Sequence, residues 1–265
     1  MQTAYKFFRP TVYKLIFTAE WVAYILLRAA GGRLTSLRQL MVALWPLLLL
    51  YCLGCALVAW SQRVNRVANG RGLALLVVVM VALDQVSKTA ISMFVPPNAT
   101  LPLVKGWLHL ANVHNVAGSW LTPVSVKPML TLANILVLPL SVIVYRYYVS
   151  SKRRSLWTDL AFLGIFAGFA SWICDVFLRG YVVDFVQIPG LVTLDFKDLF
   201  MSLDVCVVIE ALDNPAISIR WDGWRAEAES THRLITNIAT FAARDLRSWW
   251  AAIGLTGKGR DAPKD

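Results

Sequence analysis

Two aspartates that flank a turn signal are the first candidates for chemistry in this sequence. Asp184 lies in the stretch GYVVDF, and Asp198 directly precedes the last long apolar run. Because Pro189-Gly190 favours a turn between them, the chain can fold back and bring the two carboxylates together. Two close carboxylates do not both ionise easily, so one keeps a proton while the other acts as a base. Such a pair can hydrolyse an amide, although aspartates beside a turn are also typical of solvated loops.

A second charged pair lies inside an apolar segment. Asp84 and Lys88 are four residues apart in the run 73–95, so on a helix they share one face and can form an ion pair. Charged groups at membrane depth are costly and are therefore candidates for function. The residues alone leave two interpretations open: an ion pair that closes the outer end of a helix bundle, or a direct contribution to a site.

The elements that must position these residues are membrane helices. Hydrophobic residues make up 57% of the 265-residue chain, charged residues only 16%, and the mean hydropathy is +0.57. This composition excludes a disordered chain or a fibre and argues against a soluble enzyme. Since about 20 apolar residues span a bilayer, we predict spanning helices over 40–60, 73–95, 128–149 and 156–177 and a short membrane segment over 199–212. The stretch 10–30 is interrupted by Lys14 and Glu20, so it either spans or lies flat on the surface.

The positive charge indicates an orientation in the membrane. The formal net charge is +10, and eight units of this excess fall within residues 1–71, among apolar runs, which suits anionic lipid better than nucleic acid. The basic loops around 63–71 and 146–154 should be cytoplasmic, which places the segments 96–127 and 179–198 outside. Basic residues near membrane helices are usually on the cytoplasmic side. This orientation would instead place Arg28, Arg33 and Arg38 outside, so the topology of residues 1–38 stays open.

Three further segments have patterns of their own. Partial alternation of apolar and polar residues predicts a β-rich element within 96–127, and β-branched and aromatic residues around Pro189-Gly190 predict a hairpin within 180–198. The tail 224–255 predicts one amphipathic helix, which lies on the inner membrane surface or binds a partner.

Four motifs, in order, resemble the signature of signal peptidase II, the lipoprotein signal peptidase family. They are DQVSK (84–88), HNVAGSW (114–120), FLRGYVVDFVQIPG (177–190) and LDFKD (194–198). The resemblance implies an all-α polytopic membrane protein, with a four-helix transmembrane core and a small extracytoplasmic β-cradle. It covers residues 71–215 and leaves 1–70 as a membrane extension with one or two extra helices and 216–265 as a cytoplasmic amphipathic tail.

The resemblance also implies a function and a set of site residues. Asp184 and Asp198 match the family's two catalytic aspartates. The substrate-binding or supporting residues that it implies are Asp84, Lys88, Asn115, Asp175 and Arg179. The implied reaction cleaves the bond before a diacylglyceryl-modified cysteine of a prolipoprotein, in the bacterial inner membrane, without a metal or other cofactor. The bilayer and the prolipoprotein are the expected partners, nucleic acid is not, and the extension or tail could bind other membrane proteins.

Departures from the family pattern keep a second interpretation open. Where the family has G-N-x-x-D-R, Trp172 replaces the asparagine and Val176 the arginine; where it has F-N-x-A-D, Asp195 and Lys197 replace the asparagine and alanine. A third carboxylate at Asp195 should raise the pKa of the aspartate pair unless Lys197 or Arg179 offsets it. The chain is therefore either an active peptidase or a catalytically impaired relative that serves as a structural or binding subunit of a membrane complex.

Overall fold

The computed structural model of the chain describes residues 7–116, 127–151, 154–213 and 224–252. Its helices in chain order are α1 (Val12–Ala30), α2 (Leu37–Ser61), α3 (Gly70–Phe94), α4 (Lys127–Ser151), α5 (Leu156–Arg179), α6 (Phe196–Met201), α7 (Val205–Asp213) and α8 (Trp224–Ala252). Four of them, α2 to α5, are long and apolar enough to cross a membrane. These four confirm the spans expected over 40–60, 73–95, 128–149 and 156–177.

Polar caps define where three of the spanning helices begin. Ser36, Asn69 and Ser155 precede α2, α3 and α5, and each accepts a hydrogen bond from the backbone N–H three residues later. A cap of this kind satisfies an N–H that the first helical turn leaves without an intrahelical partner. The apolar runs therefore begin as helices at fixed points in the sequence.

Where the sequence predicts a short membrane segment over 199–212, the structure has α6 and α7, which are joined by a 3₁₀ turn at Ser202–Asp204. The place of this segment in the membrane stays a prediction. Two glycines of α5 let this segment approach closely. A Cβ at Gly164 would lie 2.3 Å from the Phe200 carbonyl oxygen, and one at Gly168 would lie 2.3 Å from Cγ of Met201. Small residues that allow backbones to approach are characteristic of helix packing in membranes. They hold α6, which carries Asp198, directly against α5.

A four-stranded antiparallel sheet, in the order β1-β2-β3-β4, lies next to these helices. Its strands are β1 (Thr100–Val104), β2 (Leu108–Asn115), β3 (Val182–Ile188) and β4 (Val192–Leu194). Gly190 has φ +76°, a left-handed conformation that glycine adopts readily, and it forms the turn between β3 and β4. The β-rich element within 96–127 and the hairpin at Pro189-Gly190 are thus both observed.

The first two helices form an antiparallel pair, here called the N-terminal hairpin (residues 12–61). Phe17 and Leu57 pack in an apolar cluster with residues of α5 and α7. Val42 and Ala43 pack in a second cluster with Ile188 and Leu191 of the sheet region. Within 10–30, for which the sequence left a spanning or a surface arrangement open, Val12–Ala30 forms a helix that packs against α2. Its arrangement in the membrane stays open.

The described residues divide into two compact units. The larger contains α1 to α3, the sheet, the first part of α4, and α5 to α7. The smaller contains the end of α4 and α8, where Arg146 lies 2.6 Å from Asp245 and the rings of Tyr147 and Phe241 are 5.6 Å apart. The amphipathic helix expected over 224–255 is observed as α8, while the division at residues 70 and 215 stays a prediction.

Candidate active site

Strand β3 and helix α6 bring Asp184 and Asp198 together. Asp184 lies opposite Val113 of β2, and Asp198 lies in the first turn of α6. Carboxylate oxygens of the two residues lie within 4.8 Å of each other. One water molecule can bridge such a gap with two hydrogen bonds of ordinary length. The fold therefore pairs the two aspartates across the β3–β4 turn.

A capping box fixes the position of Asp198. The Asp195 side chain accepts a hydrogen bond from the Asp198 backbone N–H at 3.1 Å, and Oδ2 of Asp198 accepts one from the Asp195 backbone N–H at 3.2 Å. Reciprocal bonds of this kind satisfy two N–H groups at the start of a helix. Asp195, which the sequence marked as a departure from the family pattern, therefore positions Asp198.

The ammonium of Lys197 lies among three carboxylates of this site. Its Nζ is 2.6 Å from Oδ2 of Asp195, 3.4 Å from Oδ1 of Asp198 and 3.7 Å from Oδ1 of Asp184. Burial alone would lower the pKa of Lys197, but the three carboxylates raise it above its usual range. The lysine therefore stays charged and contacts both members of the aspartate pair.

The two aspartates differ in exposure and in acidity. Burial raises the pKa of Asp184 to about 7; Lys197 and the Asn115 amide act in the opposite direction, while Asp195 and Asp198 add to the rise. Burial also raises the pKa of Asp198, against the effect of Lys197. The side chain of Asp198 is 34% exposed and that of Asp184 only 10%. Asp184 is thus the better placed to hold a proton near neutral pH.

Asn115 contacts the pair from the end of β2. Its Nδ2 donates a hydrogen bond to Oδ2 of Asp184 at 3.2 Å. The rest of the motif in which it was recognised, residues 117–120, lies outside the described residues. Asn115 is therefore placed beside the aspartate pair, as the sequence resemblance led us to expect.

A buried ionic cluster, called here the Lys88 cluster, lies behind the site. Nζ of Lys88 is 2.7 Å from Asp84, 2.5 Å from Asp175 and 2.6 Å from Asp195, and all four side chains are fully buried. The helical pairing of Asp84 with Lys88 is observed as expected from the spacing. The sequence did not show that Asp195 would join the cluster, and through Asp195 the cluster is connected to Lys197 and the aspartate pair.

Arg179 supports this cluster rather than the aspartate pair. Its Nη1 donates to Oε1 of Gln85 at 2.6 Å and lies 3.2 Å from Oδ1 of Asp175. Gln85 in turn donates to Oδ1 of Asp175 at 3.0 Å. Sequence reasoning missed Gln85, although it is the second residue of the DQVSK motif. From the sequence, either Arg179 or Lys197 could offset the negative charge of Asp195. In the structure it is Lys197 that contacts Asp195, at 2.6 Å.

A cavity of about 240 Å³ opens beside the pair. Apolar side chains of the spanning helices form one part of its wall, and Asn134 and Thr193 add polar groups. Its lining includes Leu130, Phe169, Trp172, Thr193, Asp184 and Asp198. Trp172 is 5% exposed and occupies the position of the family's asparagine with a bulky apolar ring. The cavity therefore has an apolar wall immediately next to two carboxylates.

Two groups of three carboxylates have a spacing that suits a cation. One consists of Asp84, Asp175 and Asp195, and the other of Asp184, Asp195 and Asp198. A lysine ammonium contacts all three carboxylates in each group, Lys88 in the first and Lys197 in the second. These lysines occupy the position that a metal ion would take and supply its charge.

Comparison with known proteins gives consistent results. The family model described as signal peptidase (SPase) II matches residues 76–212. A lipoprotein signal peptidase of Moorella thermoacetica is 28% identical over 142 residues, which are 54% of this chain and 93% of that protein. Another from Fusobacterium nucleatum is 23% identical over 139 residues, covering 51% of this chain and 81% of that protein.

One solved structure also resembles this fold. A bacterial membrane enzyme determined by the in meso method at 2.3 Å resolution superposes with a TM-score of 0.50 at 19% sequence identity. The match covers 61% of this chain and 99% of that one. At this identity the likeness concerns the fold alone. It confirms the expected architecture: an all-α polytopic membrane protein with a small antiparallel sheet and extra N-terminal helices.

Proposed function

Since the chain belongs to the signal peptidase II family, we propose that it is an aspartic membrane endopeptidase that cleaves lipid-modified prolipoproteins. The scissile bond would be the one that precedes the diacylglyceryl-modified cysteine. The observation that carries this proposal is the approach of Asp184 and Asp198 to within 4.8 Å, beside a cavity with an apolar wall. Membership of a lipoprotein signal peptidase family supports a multi-pass bacterial membrane protein.

In the proposed mechanism the two aspartates have different roles. Asp198, the more exposed, takes a proton from water as the water oxygen attacks the carbonyl carbon of the scissile amide. Asp184 keeps a proton near neutral pH, because burial raises its pKa to about 7. Asp184 gives this proton to the cysteine nitrogen as the C–N bond breaks. The proton gained by Asp198 then returns to the pair or to solvent.

Lys197 and Asn115 would set the charge distribution during this cycle. The ammonium of Lys197 favours the ionised form of Asp198, from which it lies 3.4 Å away. The Asn115 amide holds Oδ2 of Asp184 and leaves Oδ1 on the side of Lys197. Each aspartate is thereby oriented before substrate binds, which favours catalysis.

The orientation in the membrane is part of the proposal. With the basic loops at 63–71 and 146–154 in the cytoplasm, the aspartate pair lies at the extracytoplasmic face of the inner membrane and the C-terminus in the cytoplasm. Prolipoproteins also present their lipid-modified cysteine at the outer face. The extension or the tail could bind further membrane proteins.

The function is tested with the purified protein in detergent micelles and a diacylglyceryl-modified prolipoprotein. We expect wild-type protein to shorten the substrate, and Asp184→Asn and Asp198→Asn each to abolish cleavage. Asp204→Asn serves as a control, because it removes an exposed carboxylate from the 3₁₀ turn that follows α6. Unchanged cleavage by both variants of the pair would refute the assignment of the aspartates.

A second function is favoured by the position of Lys197. Because its ammonium contacts both aspartates, it lowers the pKa of each, and whenever both are ionised the pair lacks an acid. The chain would then be a noncatalytic relative that serves as a structural or binding subunit of a membrane complex. Co-purification with other membrane proteins at fixed stoichiometry, without turnover of any lipidated substrate, would favour this function over the enzyme.

A further inference from the structure

A second and larger cavity, of about 650 Å³, lies between the N-terminal hairpin and the sheet. We call it the basic cavity, because two arginines of the N-terminal hairpin line it. Its lining includes Tyr24, Arg28, Arg33, His114, Asn115 and Asp184. The first three belong to the extension, outside residues 76–212, where the family model matches.

Two hydrogen bonds fasten the N-terminal hairpin over this cavity. The Tyr24 hydroxyl donates to the Leu191 carbonyl oxygen at 2.6 Å, and Nη2 of Arg28 donates to the Gly190 carbonyl oxygen at 2.7 Å. Both acceptors lie in the turn between β3 and β4. The hairpin therefore forms a fixed wall beside the strand that carries Asp184.

Two buried nitrogens in the wall have no hydrogen-bond partner among the described residues. They are Nε of Arg28 and Nε2 of His114. The His114 ring stacks on Tyr181 with centroids 4.1 Å apart, so its orientation is fixed. Buried polar groups are nearly always hydrogen-bonded, and each exception calls for an explanation. Both nitrogens are shielded from solvent, so this wall contains polar groups that the described residues do not satisfy.

The basic cavity meets the cavity beside the aspartate pair. Asn115, Asp184 and Thr193 line both. On one side of Asp184 the wall includes apolar residues of spanning helices, such as Phe169 and Trp172, and on the other side it includes arginines. A polypeptide that crosses the aspartate pair therefore passes from an apolar to a basic environment.

We propose that the basic cavity binds an acidic side chain in the polypeptide that follows the lipid-modified cysteine. This inference rests on the proposed function. The apolar signal segment and the acyl chains remain in the bilayer, so the residues after the cysteine are the ones that leave it for water. A carboxylate there can pair with the guanidinium groups of Arg28 and Arg33 in a geometry that arginine favours. The N-terminal hairpin thus gives this chain a specificity site of its own.

The test measures binding and cleavage separately. The probes are fluorescent diacylglyceryl-cysteine peptides that span the cleavage site and differ only in the two residues after the cysteine: Asp-Asp, Asn-Asn or Lys-Lys. In nonionic micelles we expect wild-type protein to bind the Asp-Asp peptide about fivefold more tightly than the Asn-Asn peptide, the upper end for a partly exposed ion pair. Arg33→Glu should abolish this preference, because the new carboxylate offsets the charge of Arg28.

Arg38→Glu is the matched control. Arg38 is an exposed arginine of the same hairpin that lies against Gly106 in the β1–β2 turn and is not among the lining residues. It should keep the preference for Asp-Asp, whereas Arg33→Gln should weaken the preference, because Arg28 remains. Elution of each variant as a single species establishes that it is folded.

The outcomes separate this inference from the proposed function. Equal affinity of wild-type protein for the three peptides overturns the inference, even if all three are cleaved. A preference for Asp-Asp that depends on Arg33, without cleavage, supports the binding site and counts against the enzyme. If added phosphatidylglycerol, but not phosphatidylcholine, displaces all peptides equally, the cavity binds an anionic lipid headgroup and the inference is wrong.

Discussion

Lys197→Ala tests most sharply how the aspartate pair is controlled. The substitution introduces the alanine of the family motif and removes an ammonium 3.7 Å from Oδ1 of Asp184 and 3.4 Å from Oδ1 of Asp198. Asp195 remains as the cap of α6 and keeps its 2.6 Å contact with Lys88. The change therefore alters the charge at the site while the supporting contacts stay in place.

The size of the effect follows from the distance between the charges. Two unit charges about 4 Å apart attract by about 4 kcal/mol at an effective dielectric constant near 20, which corresponds to about three pH units. The Asp184 side chain is 10% exposed, and water will enter the space that the lysine leaves. We therefore expect the pKa of Asp184 to rise by about one to two units.

The sign of the change can be measured in a pH profile. In the proposed mechanism Asp184 must be protonated, so activity falls as the pH rises through the pKa of Asp184, which is about 7 in the wild-type protein. Lys197→Ala should move this alkaline limb of the pH profile to higher pH. The assay is kcat/KM for a lipidated prolipoprotein between about pH 5 and about pH 10, because this ratio reports the ionisation of the free enzyme.

Asp195→Asn provides a control of opposite sign. Asparagine still caps α6. The substitution removes a carboxylate that raises the pKa of Asp184, so the alkaline limb should move to lower pH. In the double variant with Lys197→Ala the two shifts oppose each other, so the alkaline limb should lie between those of the two single variants. If the alkaline limb of Lys197→Ala alone stays at the wild-type pH or moves to lower pH, the role assigned to the lysine is refuted.

Two further predictions concern stability. Lys88→Met removes the cation that three buried carboxylates share, and it leaves Asp84 without an ion-pair partner among the described residues, so it should destabilise the protein by about 3–5 kcal/mol. Arg146→Met breaks an exposed ion pair and should cost less than about 1 kcal/mol. Equal Tm values for the two variants in detergent would contradict this. Gly164→Val should displace α6, lowering both Tm and activity, because even a Cβ would lie 2.3 Å from the Phe200 carbonyl oxygen. Gly70→Ala, where a Cβ meets nothing within 4 Å, should change neither; a tolerated Gly164→Val would show that the close packing of α5 and α6 is not required.

Local signals in the sequence were sufficient for much of the architecture. Long apolar runs predicted the spanning helices, and Pro189-Gly190 predicted the turn between β3 and β4. The spacing of Asp84 and Lys88 predicted an ion pair on one helix face, which is observed at 2.7 Å. Each of these features depends on residues close together in the chain, so periodicity and turn propensity are enough to find it.

Contacts between distant segments could not be predicted in the same way. The sequence marked Asp195 and Lys197 as departures, but only packing shows that they pair with each other and connect Lys88 to the aspartate pair. The sequence places Arg28 and Arg33 on the outer side of the membrane, whereas the basic loops are expected on the cytoplasmic side. Their place beside the sheet depends on how the N-terminal hairpin packs, which no local pattern specifies.

Mass spectrometry of the product tests the central claim most directly. Purified protein is incubated with a diacylglyceryl-modified prolipoprotein, and the intact mass of the lipid-bearing fragment is determined. We predict that wild-type protein releases a fragment that begins at the modified cysteine, and that Asp198→Asn leaves the substrate intact. A wild-type sample in which the substrate stays whole, or is cut at any other bond, would contradict a signal peptidase activity carried by Asp184 and Asp198.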